Sequence, residues 1–159
     1  MTFSVWVKTT TTGRGLFSHC SGGPVNVGYG IESNVMSYRY YTNTWYTSYG
    51  TTSVIDGSWN NLVWVKSGTN MKFYINGTLD KDETLVGGSA NGNMRSIGSF
   101  WGPCASSNGV WPPAGYGVGN DSYGTVFNGS MGPFIVWSRS LSSSEVSQLF
   151  NNYRARFRR

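Results

Sequence analysis

The sequence predicts an all-β fold, two antiparallel sheets packed as a sandwich and closed by one short C-terminal helix. Three observations carry that expectation. Charged residues make up only 12% of the chain while aromatics reach 16% and glycine numbers 22, a mixture that favours many short strands and frequent turns. Short apolar runs, several with period-two alternation, recur from Phe3 to Trp137 and are separated by clusters of Gly, Ser, Thr and Asn. A strong helix-start signal stands near the end of the chain, at Leu141-Ser142-Ser143-Ser144-Glu145. With 159 residues the chain is read as a single domain, 1–159, large enough to bury about two thirds of its unfolded surface.

The elements follow in order. Phe3, Val5 and Val7 alternate with Ser4, Trp6 and Lys8 in a first strand, and Thr9 to Gly15 is a polar turn. Leu16 to Ser18 is a short second strand. Cys20 to Gly30 is glycine-rich, mixing loop and strand, and Tyr29-Gly30-Ile31 enters the core. Val35 to Tyr41 places Met36, Tyr38 and Tyr40 on one face. From Thr42 to Ser53 no period is visible, so strand and exposed loop are not separable there. Trp59 to Lys66, a Ser-Gly-Thr-Asn turn, and Met71 to Ile75 form a hairpin whose core face is read as Leu62 and Trp64, with the stem of Lys66 as a further candidate, against Met71, Phe73 and Ile75, a parity left open by one residue. Asn76-Gly77 is a tight turn, since both residues tolerate positive φ. Asp80, Asp82 and Glu83, with Lys81 among them, read as a solvated loop. Between 98 and 129 Gly, Pro, Ser, Asn, Trp and Tyr dominate, and Thr125-Val126-Phe127 is the clearest strand fragment in a long aromatic loop region.

The ending is the most specific stretch. Ser142 accepts from the Glu145 amide while Glu145 reaches back to the Ser142 amide, and Leu141 packs on Val146, a capping box with a hydrophobic staple. Val146, Leu149, Phe150 and Tyr153 then fall at i, i+3, i+4 and i+7, so a helix over 142–155 carries an apolar stripe that another element must cover.

Phe3-Ser4-Val5-Trp6-Val7-Lys8, Gly57-Ser58-Trp59 through Val65, Met71-Lys72-Phe73-Tyr74-Ile75-Asn76-Gly77, Arg95-Ser96-Ile97-Gly98 and Phe127-Asn128-Gly129-Ser130-Met131-Gly132 follow one another in an order that resembles the laminin-G-like, or concanavalin A-like, lectin and glucanase domains. The tail Asn151 to Phe157 resembles versions of that domain in structural proteins of tailed bacteriophages. The resemblance implies a jelly-roll sandwich. It implies a non-catalytic lectin-like binding module of a phage virion protein (fibre, tail or capsid decoration) that contacts host surface polysaccharide; the alternative is a structural virion module making protein contacts without sugar. It also implies a strand ahead of Thr2 to Lys8, so either the chain is a piece of a longer polypeptide, the preferred reading, or a neighbouring subunit donates the strand. Location on the virion surface and an oligomeric setting within a larger assembly follow from the same resemblance.

Ligand contacts in such sandwiches commonly come from loops, which makes 98–129 the leading candidate surface. Trp101, Trp111, Tyr116 and Tyr123 offer aromatic faces for sugar rings, and Asn108, Asn120 and Asp121 offer hydrogen bonds to hydroxyls. Contact with a partner protein and packing within the loop are equally open for these residues. Tyr38, Tyr40, Tyr41, Trp45, Tyr46 and Tyr49 are read as lining a sheet face, and Trp6, Trp59, Trp64 and Trp137 as structural.

Catalysis has little to stand on. A retaining glycosidase of this resemblance needs two carboxylates about 5 Å apart, carried as E-x-D-x-x-E or E-x-D-x-E on one strand. No such string occurs among the seven acids, and His19 is the sole histidine. The chain is read as no enzyme. Calcium is the metal the resemblance implies, with Asn120-Asp121 and Asp56-Gly57 as its contributors; neither has a second carboxylate near in sequence, so no cofactor is assigned. Cys20 and Cys104 are open to a disulfide or to free thiols. Asn76-Gly77-Thr78 and Asn128-Gly129-Ser130 fit the glycosylation pattern but are read as turns.

Formal net charge is +5, yet Arg154, Arg156, Arg158 and Arg159 supply four of those charges, leaving a nearly neutral body. That tail suits a solvated helix end, where cations complement the helix dipole; nucleic-acid contact is the weaker alternative. No run of eighteen apolar residues and no charged leader with an apolar core is present, so no membrane insertion is expected.

Overall fold

A computed structural model describes residues 1–12, 14–20, 26–41, 44–85, 93–97 and 127–157. Ten strands and one helix follow in order: β1 (Thr2–Lys8), β2 (Arg14–Cys20), β3 (Asn26–Glu32), β4 (Val35–Tyr41), β5 (Trp45–Ser53), β6 (Trp59–Ser67), β7 (Asn70–Ile75), β8 (Thr78–Thr84), β9 (Asn93–Ile97), β10 (Ser130–Trp137) and α1 (Ser143–Phe157). They form two five-stranded sheets, A in the order β10-β1-β6-β7-β8 and B in the order β5-β4-β3-β2-β9. All pairings are antiparallel. The predicted sandwich with a terminal helix is the fold observed.

Period two explains which residues meet between the sheets. Phe3, Val5 and Val7 of β1, Leu62 and Trp64 of β6, and Met71, Phe73 and Ile75 of β7 face Val27, Tyr29, Ile31, Met36, Tyr38 and Tyr40 of sheet B in one cluster. The β6–β7 register sets Leu62 against Ile75, Trp64 against Phe73 and Lys66 against Met71, the parity expected from sequence. Phe17 stacks on Tyr29 with centroids 4.3 Å apart, and Trp64 meets both rings edge-on at 5.4 and 5.7 Å. The Trp64 indole N–H donates 3.1 Å to the carbonyl of Ser37, a buried hydrogen bond that ties the two sheets together.

Turn chemistry departs from the sequence reading in places. The β6–β7 connection is a two-residue turn, with Ser67 and Asn70 still paired and Gly68 at φ 57°. Asn76 and Gly77 at φ 53° and 79° make the expected tight turn, and Ser33-Asn34 at φ 50° and 71° make a second one the sequence did not announce. The segment with Asp80, Asp82 and Glu83 is strand β8. It is polar because it is an edge strand, stabilised by a Lys72–Asp82 ion pair across strands at 3.0 Å and a Lys81–Glu83 pair at 2.9 Å. The aperiodic stretch from Thr42 is strand β5 from Trp45 onward.

β5 and β8, the edges of opposite sheets, are latched by Asp80. Its carboxylate accepts from the amides of Thr51 (2.8 Å) and Thr52 (3.0 Å) and from the Thr51 hydroxyl (2.7 Å). Burial opposes its ionisation, yet these Thr51 and Thr52 contacts outweigh it and hold the carboxyl below its usual range.

Sheet A is buried on its outer face as well. Val63, Val65 and Tyr74 pack there against Leu141 and Val146, with Trp137 and Leu149 alongside. The capping box forms as expected: the Ser142 amide donates to Glu145 Oε2 at 2.8 Å, and the Glu145 amide donates to Ser142 Oγ at 3.3 Å. The Arg139 guanidinium and then the Ser142 amide and hydroxyl hold the Glu145 carboxyl at about 2. Thr2 fixes the approach to the helix, its hydroxyl donating to the Arg139 carbonyl and accepting from the Leu141 amide, both at 2.9 Å. The helix runs one half-turn beyond the expected 155, which brings Phe157 onto Trp6 at 4.2 Å while Phe150 stacks on the same indole at 5.7 Å. Gly132 and Gly77 permit this approach: a Cβ on the first would lie 3.0 Å from Phe157 and Trp6, and on the second 3.0 Å from Phe150.

Two outcomes are expected. Phe150→Ala lowers unfolding free energy by about 2–3 kcal/mol in urea titration, because the void beneath the helix cannot collapse onto Trp6. Glu145 and Asp80 have depressed folded-state pKa values, so their contribution is complete above about pH 4–5 and lost as pH falls through the folded values. Asp80→Asn is therefore less stable than the parent by about 1 kcal/mol at pH 7, and the gap narrows as the pH falls below the usual carboxylate range in acid titration of the two proteins.

Candidate ligand-binding faces

With α1 lying on sheet A, the other broad face of the sandwich is the outer face of sheet B, where Ser18, Gly28, Gly30 and Ser37 are buried and Glu32, Arg39, Thr47 and Tyr49 keep some exposure. By alternation and register it carries Ser18 of β2, Gly28, Gly30 and Glu32 of β3, Ser37 and Arg39 of β4, and Thr47 and Tyr49 of β5. Gly28 and Gly30 stand opposite Arg39 and Ser37; both glycines and Ser37 are buried, and Arg39 is half-buried. Arg39 reaches Glu32 at 2.7 Å, and the Ser37 hydroxyl donates to the other carboxylate oxygen at 3.2 Å. Tyr49 is 39% exposed. The groups on this face that stay accessible are the half-buried Glu32–Arg39 pair, Thr47 and the Tyr49 ring, which are suited to hydrogen-bonding a polar ligand.

The loop region leaves this same sheet. Ile97 of β9 pairs with Phe17, and on the far side Phe127 packs against the core while the Asn128 carbonyl accepts from the hydroxyls of Thr9 (2.6 Å) and Thr11 (3.1 Å). The residues expected to bind, Trp101, Asn108, Trp111, Tyr116, Asn120, Asp121 and Tyr123, all lie outside the described residues, as do Cys104 and Thr125-Val126. Of the earlier tyrosine cluster, Tyr38, Tyr40 and Tyr46 stack inward, at 5.4 and 5.1 Å between successive rings, so they line the core.

A second concavity, about 230 Å³, lies between α1 and sheet A and is lined by Trp6, Trp59, Asn76, Phe150, Arg154 and Phe157. Sequence reasoning missed it. Trp59 and Trp6 were taken as structural, and the helix was expected to stop before Phe157; the signal was there, since Phe157 extends the apolar stripe at i+4 from Tyr153 and i+7 from Phe150.

The sequence profile described as the Concanavalin A-like lectin/glucanases superfamily matches residues 1–147. The chain belongs to this superfamily. No curated protein matches it in sequence. Solved structures share its fold at low identity. A heptameric SAP-like pentraxin from Limulus polyphemus aligns with TM-score 0.63 and 15% identity, over 94% of this chain and 68% of that one. Domain 4 of AbnA, an extracellular arabinanase from Geobacillus stearothermophilus, solved with arabinotriose, aligns at 0.63 and 19%, over 93% and 65%. The CBM40 of the Ruminococcus gnavus IT-sialidase, solved with α2,3-sialyllactose, aligns at 0.62 and 19%, over 94% and 81%.

The superfamily's name spans binding and cleaving members, and cleavage needs carboxylates free to exchange protons. All six acids among the described residues are tied into the framework. Glu32 holds Arg39 and Ser37, Asp80 latches Thr51 and Thr52, Asp82 holds Lys72 and Asn70, Glu83 holds Lys81, and Glu145 caps α1. Asp56 accepts from the Ser58 amide (2.9 Å) and the Asn60 side chain (3.1 Å), which spends one of its oxygens on a turn. Among the described residues no three His, Cys, Asp or Glu side chains gather as a metal set.

Glu32 carries the shape of the sheet B face. Arg39→Met strands its largely buried carboxylate and destabilises the domain by about 1–2 kcal/mol, and adding Glu32→Gln restores part of that loss in a double-mutant cycle measured by thermal denaturation.

Proposed function

We propose that this superfamily member is a non-catalytic, lectin-like binding module that contacts polysaccharide through the outer face of sheet B and the aromatic loop region 98–129. The observation that carries the reading is the commitment of every described carboxylate to a structural partner, which leaves a lectin-family scaffold with polar and aromatic surface but no described acid pair for glycoside hydrolysis. The carbohydrate complexes of the Geobacillus and Ruminococcus domains support the same reading, since this fold there holds saccharides. Aromatic side chains stack on the C–H faces of sugar rings, and hydroxyl, amide and ion-pair groups complete the hydrogen bonding. The loop region supplies the rings, with Trp101 and Trp111 as the anchors and Asn108, Asn120 and Asp121 as their polar neighbours.

The setting we propose is the surface of a phage virion, on a fibre, tail or capsid decoration, with the host's surface polysaccharide as the ligand. Among the described residues no helix is long and apolar enough to cross a membrane. Titration of an oligosaccharide panel followed by tryptophan fluorescence tests the function. Saturable binding at or below millimolar sugar, with no new reducing ends released and at least a tenfold weakening in Trp111→Ala, is the expected result. An absence of saturation for every sugar tested, with the same surface buried against another virion protein in the assembled particle, would make this a structural module instead.

A further inference from the structure

We propose that the cleft between α1 and sheet A is a second saccharide subsite, separate from the sheet B face, and that it selects a sugar bearing a carboxylate. The choice of a saccharide rests on the lectin-like reading above; the choice of an acidic one rests on the cleft itself.

Its floor is Trp6, only 3% exposed and stacked under both Phe150 and Phe157. Trp59 forms a wall, its ring 4.8 Å from that of Phe157 and tilted 54° to it, and both rings are half-buried, so each keeps an accessible portion. These rings belong to a strand end and a docked helix and are fixed by packing, which removes most of the ordering cost a ligand would otherwise meet. The volume, about 230 Å³, falls below the roughly 300–1,000 Å³ of pockets for drug-sized molecules and suits one ring of a longer chain that continues into solvent.

The polar groups are as well defined. Asn76 sits in the left-handed turn after β7; its Oδ1 accepts from the Asn61 amide at 2.9 Å and its Nδ2 donates to Asn60 Oδ1 at 2.8 Å. A side-chain amide nitrogen has two hydrogens, so one donor of a rigidly oriented amide remains for a ligand. Arg154 supplies the charge. Arg39 and Arg139 are spent on Glu32 and Glu145, and Arg156 lies over the ring of Tyr153 at 5.6 Å, whereas Arg154 is exposed, borders the cleft and forms no ion pair among the described residues. None of the six lining residues is acidic. A guanidinium fork beside an aromatic wall, with an amide donor in the same lining and no acidic lining residue, matches a planar carboxylate attached to an apolar ring face.

The test is a fluorescence titration of the full chain with tetragalacturonate, tetraguluronate and sialyllactose, each beside its neutral methyl ester. We expect at least one acid to bind tenfold or more tightly than its ester, Arg154→Gln to erase that preference, and Arg156→Gln, the same charge change on the same helix, to keep it. Thermal melts of the two variants establish that both stay folded, as their exposed positions dictate. Equal loss in both variants, a preference untouched by Arg154→Gln, or no preference for any acid would overturn the subsite. Neutral-sugar binding that depends on Trp111 would then still stand for the module as a whole, while failure of every sugar would remove both readings.

Discussion

The central strands of sheet A have no wet face, and the rest of the molecule follows from that constraint. β1 and β6 are each buried at six consecutive positions, which a half-solvated strand would not be. Phe3, Val5, Val7, Leu62 and Trp64 belong to the sandwich core, but Trp6, Val63, Val65 and Tyr74 point the other way. Each would forfeit about 1.5–3 kcal/mol if left in water. α1 removes that exposure. The capping box starts the helix at Ser143, the Thr2 hydroxyl holds the connection at Arg139 and Leu141, and the Tyr74 hydroxyl meets Ser143 Oγ at 3.0 Å. Beneath it the Asn61 side-chain nitrogen, buried on the same face, donates 3.0 Å to Ser4 Oγ, tying β6 to β1 under the helix.

Function is displaced accordingly. A sandwich with one face sealed can recognise a ligand on the opposite sheet, at its rims, or along the seam where the seal meets the sheet. On the outer face of sheet B the β3 glycines are buried, and the half-buried Glu32–Arg39 pair places fixed charge beside the exposed Tyr49. The seam keeps Trp59 and Arg154 accessible because the helix ends in an aromatic and an arginine on the side that turns toward β6. Among the described residues the acids serve as latches and caps of the framework, Asp80 across the two sheets and Glu145 at the helix start.

How far the sequence revealed this depends on how many physical signals coincided at each element. Where alternation agreed with apolar content, as in Phe3 to Val7 and in the hairpin from Trp59 to Ile75, the strands were legible, and the hairpin's facing parity, open by one residue in the sequence, is settled by the register of Trp64 against Phe73. The terminal helix was legible because a cap, a staple and a 3.6-residue stripe coincided. β8 was not, since an edge strand held by Lys72–Asp82 and Lys81–Glu83 has no apolar face to betray it. β5 was obscured by its own irregularity: the register slips opposite Met36, and the Gly50 to Thr52 stretch there serves as the docking site for Asp80. The seam was hidden for another reason. Trp6, Trp59 and Phe157 are far apart in the chain, and only the crossing of β1, β6 and α1 brings them together. The loop aromatics from Trp101 to Tyr123 were legible as a composition and fall outside the described residues.

The claim that α1 is part of sheet A's burial, and no appendage, is tested most directly by native-state hydrogen exchange. Amides in the middle of α1, around Leu149 and Phe150, should exchange with the same free energy of opening as those of Val63 and Val65 in β6, and with the same denaturant dependence, because helix and sheet open as one unit. Fast exchange of the helix through a local opening that leaves the β6 amides at full protection would contradict the account.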